Sequence, residues 1–181
     1  PEGSVTASYL NTLDSNTSGT VDASAVTTIT GTVSELKTVY ASSGITGLGN
    51  EAITVSAGSA SAADLNTIDA ATTGLVTATA VTSLTGTTAE LISLINNEGS
   101  SGNKVNLDGD FTVTITDAPT DAQLAIIDAA TTGTITIGGG GGPEGSVTAS
   151  YLNTLDSNTS GTVDASAVTT ITGTVSELKT V

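Results

Sequence analysis

The sequence predicts a right-handed α/β solenoid with one parallel β-sheet face, one helix layer and about 26–33 residues per coil. Three observations carry this expectation. Helix-start signatures recur at near-regular spacing. Segments alternating aliphatic and hydroxyl side chains lie between them. Residues 143–181 repeat residues 1–39 without a change, a long period of 143 − 1 = 142 residues.

The helix starts are capping boxes, in which a Ser or Thr side chain and an acidic or amide side chain three residues on satisfy each other's orphan backbone donors. They read Thr32-Val33-Ser34-Glu35, Ser61-Ala62-Ala63-Asp64, Thr87-Thr88-Ala89-Glu90, Thr120-Asp121-Ala122-Gln123 and Thr174-Val175-Ser176-Glu177. Thr6 and Thr148 hold equivalent places with Tyr three residues on. The starts at 6, 32, 61, 87, 120, 148 and 174 differ by 26, 29, 26, 33, 28 and 26. Fixed periods in this range mark a solenoid, whose coils bury their apolar faces only against one another.

Each start precedes an apolar pair at i, i+3: Leu10 and Leu13, Leu36 and Val39, Leu65 and Ile68, Leu91 and Leu94, Leu124 and Ile127. That spacing puts one narrow stripe on a short helix. Gly19, Gly44, Gly74, Gly99, Gly133 and Gly161 then read as stops.

The segments between helices alternate with period two and are rich in β-branched residues. Val21, Ala23 and Ala25 should share one face; so should Ile53, Val55 and Ala57, and Val76, Ala78 and Ala80. Phe111, Val113 and Ile115 repeat the pattern, as do Ile135 and Ile137. Thr77, Thr79, Thr112, Thr114, Thr134 and Thr136 then form an outward threonine face. Strand, crossover helix, strand implies parallel strands with right-handed crossovers. Gly44 to Asn50 and Glu98 to Asp110 read as loops. The expected organisation is solenoid repeats over 1–137, a poly-Gly linker or seam at 138–142, and an identical restart over 143–181.

Composition narrows the function. Three Lys and Arg face 18 Asp and Glu, a net charge of −15, which argues against nucleic acid or an anionic membrane surface as partner. No apolar run approaches the roughly 20 residues of a membrane helix, so no membrane insertion is expected. There is no His, Cys, Met or Trp, and aromatics make up 2%. Without Cys there are no disulfides or thiolate sites, and without His or Cys no residue pair carries a catalytic mechanism. The expectation is a non-enzyme with no cofactor. The Cys-free, Thr/Ser-rich, acidic balance points to an extracellular location. The opening residue is Pro1 rather than Met, so processing or excision from a longer chain is expected.

Two carboxylate groups invite a calcium reading, since Ca²⁺ takes six to eight oxygen ligands. Asp14, Asp69, Asp128 and Asp156 each lie four residues after a helix Leu, where the helix dipole disfavours them. Capping of the turn before Gly is the simpler role. Asp108 and Asp110 sit in Asn106-Leu107-Asp108-Gly109-Asp110, which lacks EF-hand spacing and reads as an Asp-Gly turn. Asn16-Thr17-Ser18 and Asn158-Thr159-Ser160 match a glycosylation acceptor.

The pattern Leu65-Asn66-Thr67-Ile68-Asp69-x-x-Thr72-x-Gly74-x-Val76-x-Ala78-x-Ala80-Val81-Thr82-x-Leu84-Thr85-Gly86-Thr87-x-x-Glu90-Leu91 resembles repeats of very long, acidic surface proteins of cyanobacteria and other aquatic bacteria. The resemblance implies secretion and a structural or adhesive role, and carries over no catalytic residue. The sequence therefore leads to a structural repeat protein that self-associates into a fibre or tandem array. The alternatives are a calcium-stabilised adhesin, an ice-binding threonine face, and an engineered repeat scaffold.

Overall fold

A computed structural model describes residues 1–117, 119–137, 146–158, 165 and 168–180. The chain is α/β throughout. In order it forms β1 (Glu2–Thr6), α1 (Ala7–Asn16), β2 (Val21–Asp22), β3 (Ala25–Gly31), α2 (Val33–Ala41), β4 (Ile45–Thr46), β5 (Ala52–Val55), β6 (Gly58–Ser61), α3 (Ala62–Ala71), β7 (Val76–Thr77), β8 (Val81–Gly86), α4 (Thr88–Asn96), β9 (Val105–Asn106), β10 (Thr112–Ile115), α5 (Asp121–Asp128) and β11 (Ile135–Ile137). The repeated segment adds β12 (Ser146–Thr148), α6 (Ala149–Asn158), β13 (Thr170–Thr172) and α7 (Val175–Leu178). The poly-Gly seam lies outside the described residues.

The helices begin where side chains can take their orphan amides. Thr32, Thr87, Thr120 and Thr174 make complete capping boxes with Glu35, Glu90, Gln123 and Glu177. Ser61 accepts the Asp64 amide, but the reciprocal bond is missing. Asp64 is a methylene shorter than Glu, and its carboxylate is engaged by Lys37 of the preceding helix. Thr6 and Thr148 accept the amides of Tyr9 and Tyr151.

The helix ends correct the sequence reading. Thr17, Ser42 and Thr72 end α1, α2 and α3 in extended conformation, with no left-handed glycine. Positive φ falls on Gly3, Gly47, Gly49, Gly58 and Gly102 instead. Gly74 and Gly133 are demanded by contact. A Cβ on either would lie 2.3 Å from the carbonyl oxygen of Glu51 or Phe111. Gly161 is outside the described residues.

Every strand pairing among the described residues is parallel. Partners lie one coil apart in sequence, so like residues stack. Val5, Ile29, Ile53, Val76 and Val105 form one aliphatic row. Ala60, Leu84, Val113 and Ile135 form a second. Successive helices pack on one another, α1 through α7.

The expected single sheet is divided. The described strands make sheets of five, four, two and two, in the orders β1-β3-β5-β7-β9, β11-β10-β8-β6, β12-β13 and β2-β4. The cause is unequal spacing. From Thr28 to its partner Ala52 is 52 − 28 = 24 residues, whereas the helix caps Thr32 and Ser61 differ by 61 − 32 = 29. The surplus accommodates β6, Gly58–Ser61, the edge strand of the second sheet. The presumed Gly44–Asn50 and Glu98–Asp110 loops also hold short strands, β4 and β9, because Ile45 and Val105 are buried in the core.

Corners break the alternation. Val26 and Val81 donate their amides to Ala23 and Ala78, closing tight turns. Val21, Ala23, Val26 and Ile29 are buried, but Ala25 is exposed. Ala57 and Ala80 are likewise exposed, against the expectation for all three. Leu10, Leu36, Leu65, Leu91 and Leu124 from the helices complete a core in which Phe111 is the largest fully buried side chain. Coil spacing is set by small residues: a Cβ on Gly31 or Gly86 would come within 2.7 or 3.1 Å of the Ala7 or Ala62 methyl one coil earlier.

Candidate functional site

The strands bring the expected threonines partly into line. Thr85, Thr114 and Thr136 stand side by side with Ser61, and Thr112 with Ser83 and Ser59. On the other long sheet Thr6, Thr30, Thr54 and Thr77 align and end at Asn106. Thr79 lies in a turn and Thr134 precedes its strand, so neither extends these rows. Thr77, Thr114, Thr134 and Thr136 are half-buried, while Thr79 and Thr112 are exposed.

Two helix-terminal aspartates, Asp14 and Asp69, tie coils together through their carboxylates. Asp14 accepts from the Ser42 hydroxyl at 2.7 Å, and Asp69 from the Asn97 amide at 2.7 Å. Both partners are the C-cap of the next helix. Gly44 leaves room for this, since a Cβ there would fall 1.9 Å from an Asp14 carboxylate oxygen. The other Asp69 oxygen, Oδ1, is buried without a partner. Burial raises the Asp69 carboxyl above its ordinary value, against the opposing pull of Lys104 and the Asn97 hydrogen bond. Lys104 Nζ in turn donates to Asn97 Oδ1 at 3.2 Å.

Asp108 accepts the Gly109 amide at 2.9 Å, and Asp108 and Asp110 are both exposed. Asp128 closes α5. Among the described residues no three His, Cys, Asp or Glu side chains converge as a metal site. No described helix is long and apolar enough to cross a membrane.

Three polar devices had no clear signal in the sequence. Glu51 is 1% exposed, yet carries a carboxylate. Its oxygens accept from the Tyr40 hydroxyl and from the amides of Gly49 and Asn50, the last two at 2.8 and 3.1 Å. Burial and the adjacent Glu51 push the Tyr40 phenol far up, so it remains a donor. Asn11, Asn66 and Asn153 each donate to the carbonyl of a Glu in the next helix, Glu35, Glu90 and Glu177, at 3.0–3.1 Å. A matching Asn-to-Glu interval of 24 residues is the signal that could have revealed it. Asp117 accepts from both the amide and the hydroxyl of Thr88, at 2.7 and 2.6 Å, which holds its carboxyl below the ordinary value.

The repeated segment supplies a comparison within one chain. Ile29 and Leu36 are 0% exposed under β5 and α3, whereas their sequence equivalents Ile171 and Leu178 are 38% and 43% exposed. Val175, equivalent to the half-buried Val33, is 72% exposed. Comparison of the chain with family models, with curated proteins and with solved structures gives no match.

Proposed function

We propose that this chain is a non-enzymatic structural repeat protein of the cell exterior, a segment of a right-handed α/β solenoid that extends end to end into a surface filament or long adhesin. The observation that carries the reading is the coil-to-coil register, in which like residues stack on parallel strands 22 to 29 positions apart. An uncovered strand edge with an apolar face is a template for pairing. The coil-to-coil ladders support the same reading, because each aliphatic row can accept a further rung. The threonine and serine rows lie outside this contact and would remain on the filament surface.

Electron microscopy and sedimentation at neutral pH test the proposal. Filaments that lengthen with protein concentration are expected. Compact, monodisperse particles at high concentration would overturn it.

A further inference from the structure

We propose that Lys104 and Asn97 join through an autocatalytic side-chain amide bond, with Asp69 as the catalytic acid–base. The bond would staple the end of α4 to the strand β9 beside the carboxylate of the preceding coil.

The groups stand in the order such a reaction needs. Lys104 Nζ lies 3.2 Å from Asn97 Oδ1, one bond from the carboxamide carbon. Asn97 Nδ2, the leaving nitrogen, lies 2.7 Å from Asp69 Oδ2. Asp69 Oδ1 is buried with no partner, a cost that a purely structural tie would not retain. The sequence also makes room for the nucleophile. A Cβ on Gly99 would approach the Lys104 side chain to 3.0–3.4 Å, so glycine lets the lysine stem lie across the turn and aim inward. The loop is already held closed, with the Val105 amide on the Asn97 carbonyl at 3.1 Å.

The first pair of coils shows what a simple tie requires. Asp14 and Ser42 are separated by 42 − 14 = 28 residues, as Asp69 and Asn97 are by 97 − 69 = 28. There the hydroxyl donates to the carboxylate and accepts the Gly44 amide at 3.0 Å. No lysine takes part. In the second pair a carboxamide replaces the hydroxyl, and an amine replaces the backbone donor.

The chemistry balances without a cofactor. Through solvent at this half-exposed site, Lys104 passes one ammonium proton to Asp69, whose carboxyl burial already favours in the neutral form. The neutral amine attacks the Asn97 carboxamide carbon, forming the Nζ–Cγ bond. Asp69 delivers its proton to Nδ2, which it already touches, and through solvent takes one of the two protons left on Nζ, leaving the amide N–H. The Cγ–Nδ2 bond breaks and ammonia leaves. Nothing is oxidised or reduced. Held geometry replaces the encounter step.

Intact-mass spectrometry of the full folded chain tests this. The expected mass is below the sequence mass of 17.5 kDa by one ammonia, about 17 Da. Tandem spectra should show the Lys104 and Asn97 peptides linked. Lys104→Arg and Asn97→Ala should keep their full sequence mass. Asn97→Asp should lose water instead, about 18 Da, if the attack is on the side-chain carbonyl carbon. A folded full chain that keeps the sequence mass after prolonged incubation at neutral pH overturns the proposal. So does an ammonia loss that maps to a succinimide without linkage to Lys104. If Asp69→Asn links as fully as the parent, the catalytic role of Asp69 is overturned.

Discussion

Replacing Gly74 by alanine tests whether the glycines after the helices serve conformation or contact. The added methyl would lie 2.3 Å from the Glu51 carbonyl oxygen and 2.6 and 2.9 Å from the next two backbone atoms. These are backbone atoms in a strand junction, and the same carbonyl accepts the Thr72 hydroxyl at 2.7 Å. They cannot swing aside as a flexible side chain would. Overpacking of this kind costs about 1–3 kcal/mol, and the lower chain entropy of alanine returns about 0.4–1 kcal/mol. The net expected loss is about 1 kcal/mol, a fall in Tm of roughly 2–4 °C for a chain of this size. Gly109→Ala is the internal comparison: no atom lies within 4 Å of its missing Cβ. It should match the parent or gain up to about 1 kcal/mol. Urea unfolding followed by far-UV circular dichroism reads both. Equal midpoints for Gly74→Ala and Gly109→Ala would refute the contact argument. So would a Gly74→Asn variant more stable than Gly74→Ala, since asparagine is favoured only if the position needs a left-handed backbone.

Two further outcomes follow from the buried polar groups. Tyr40→Phe removes one donor from the carboxylate of Glu51, which is 1% exposed, and should cost about 1–3 kcal/mol in the same unfolding measurement. Asp117→Asn should flatten the acid limb of the stability profile. The folded carboxyl is lowered from 3.8, so its contribution is fully present above that value and is lost as pH falls through the folded value. An acid limb identical in parent and variant, followed by circular dichroism from neutral to strongly acidic pH, would remove Asp117 from the account.

Much of the local structure was legible because it rests on interactions between near neighbours. The N-caps Thr32, Thr87, Thr120 and Thr174 needed only a residue and its neighbour three positions on. The core-facing pairs from Leu10 and the half-buried Leu13 to Leu124 and Ile127 needed only helical spacing. What spans one coil to the next was harder to read. The surplus that makes β6 is visible as a longer interval, but sequence does not say whether it loops out or starts a sheet edge. Ala25, Ala57 and Ala80 were misplaced because alternation was carried through corners, where the backbone turns and the face changes. Asp69 and Asn97 lie 28 residues apart, and their meeting depends on the helix stacking. Of the expected threonines, Thr77, Thr112, Thr114 and Thr136 lie in paired strands. Thr79 and Thr134 share the composition but lie outside the paired strands.

The matched rungs of the ladders bear on how this chain comes apart under load. Each hydrogen-bonded row joins residues only 22 to 29 positions apart, as in Val113 with Ile135 and Val76 with Val105. No contact of that kind has to wait for distant parts of the chain to find each other. Order can start in any coil and spread to its neighbours. Pulling along the stack would free one coil at a time. In the array proposed above, each release would lengthen the chain by one coil while the remaining coils kept their own contacts, so it would yield in small steps and re-form when slackened.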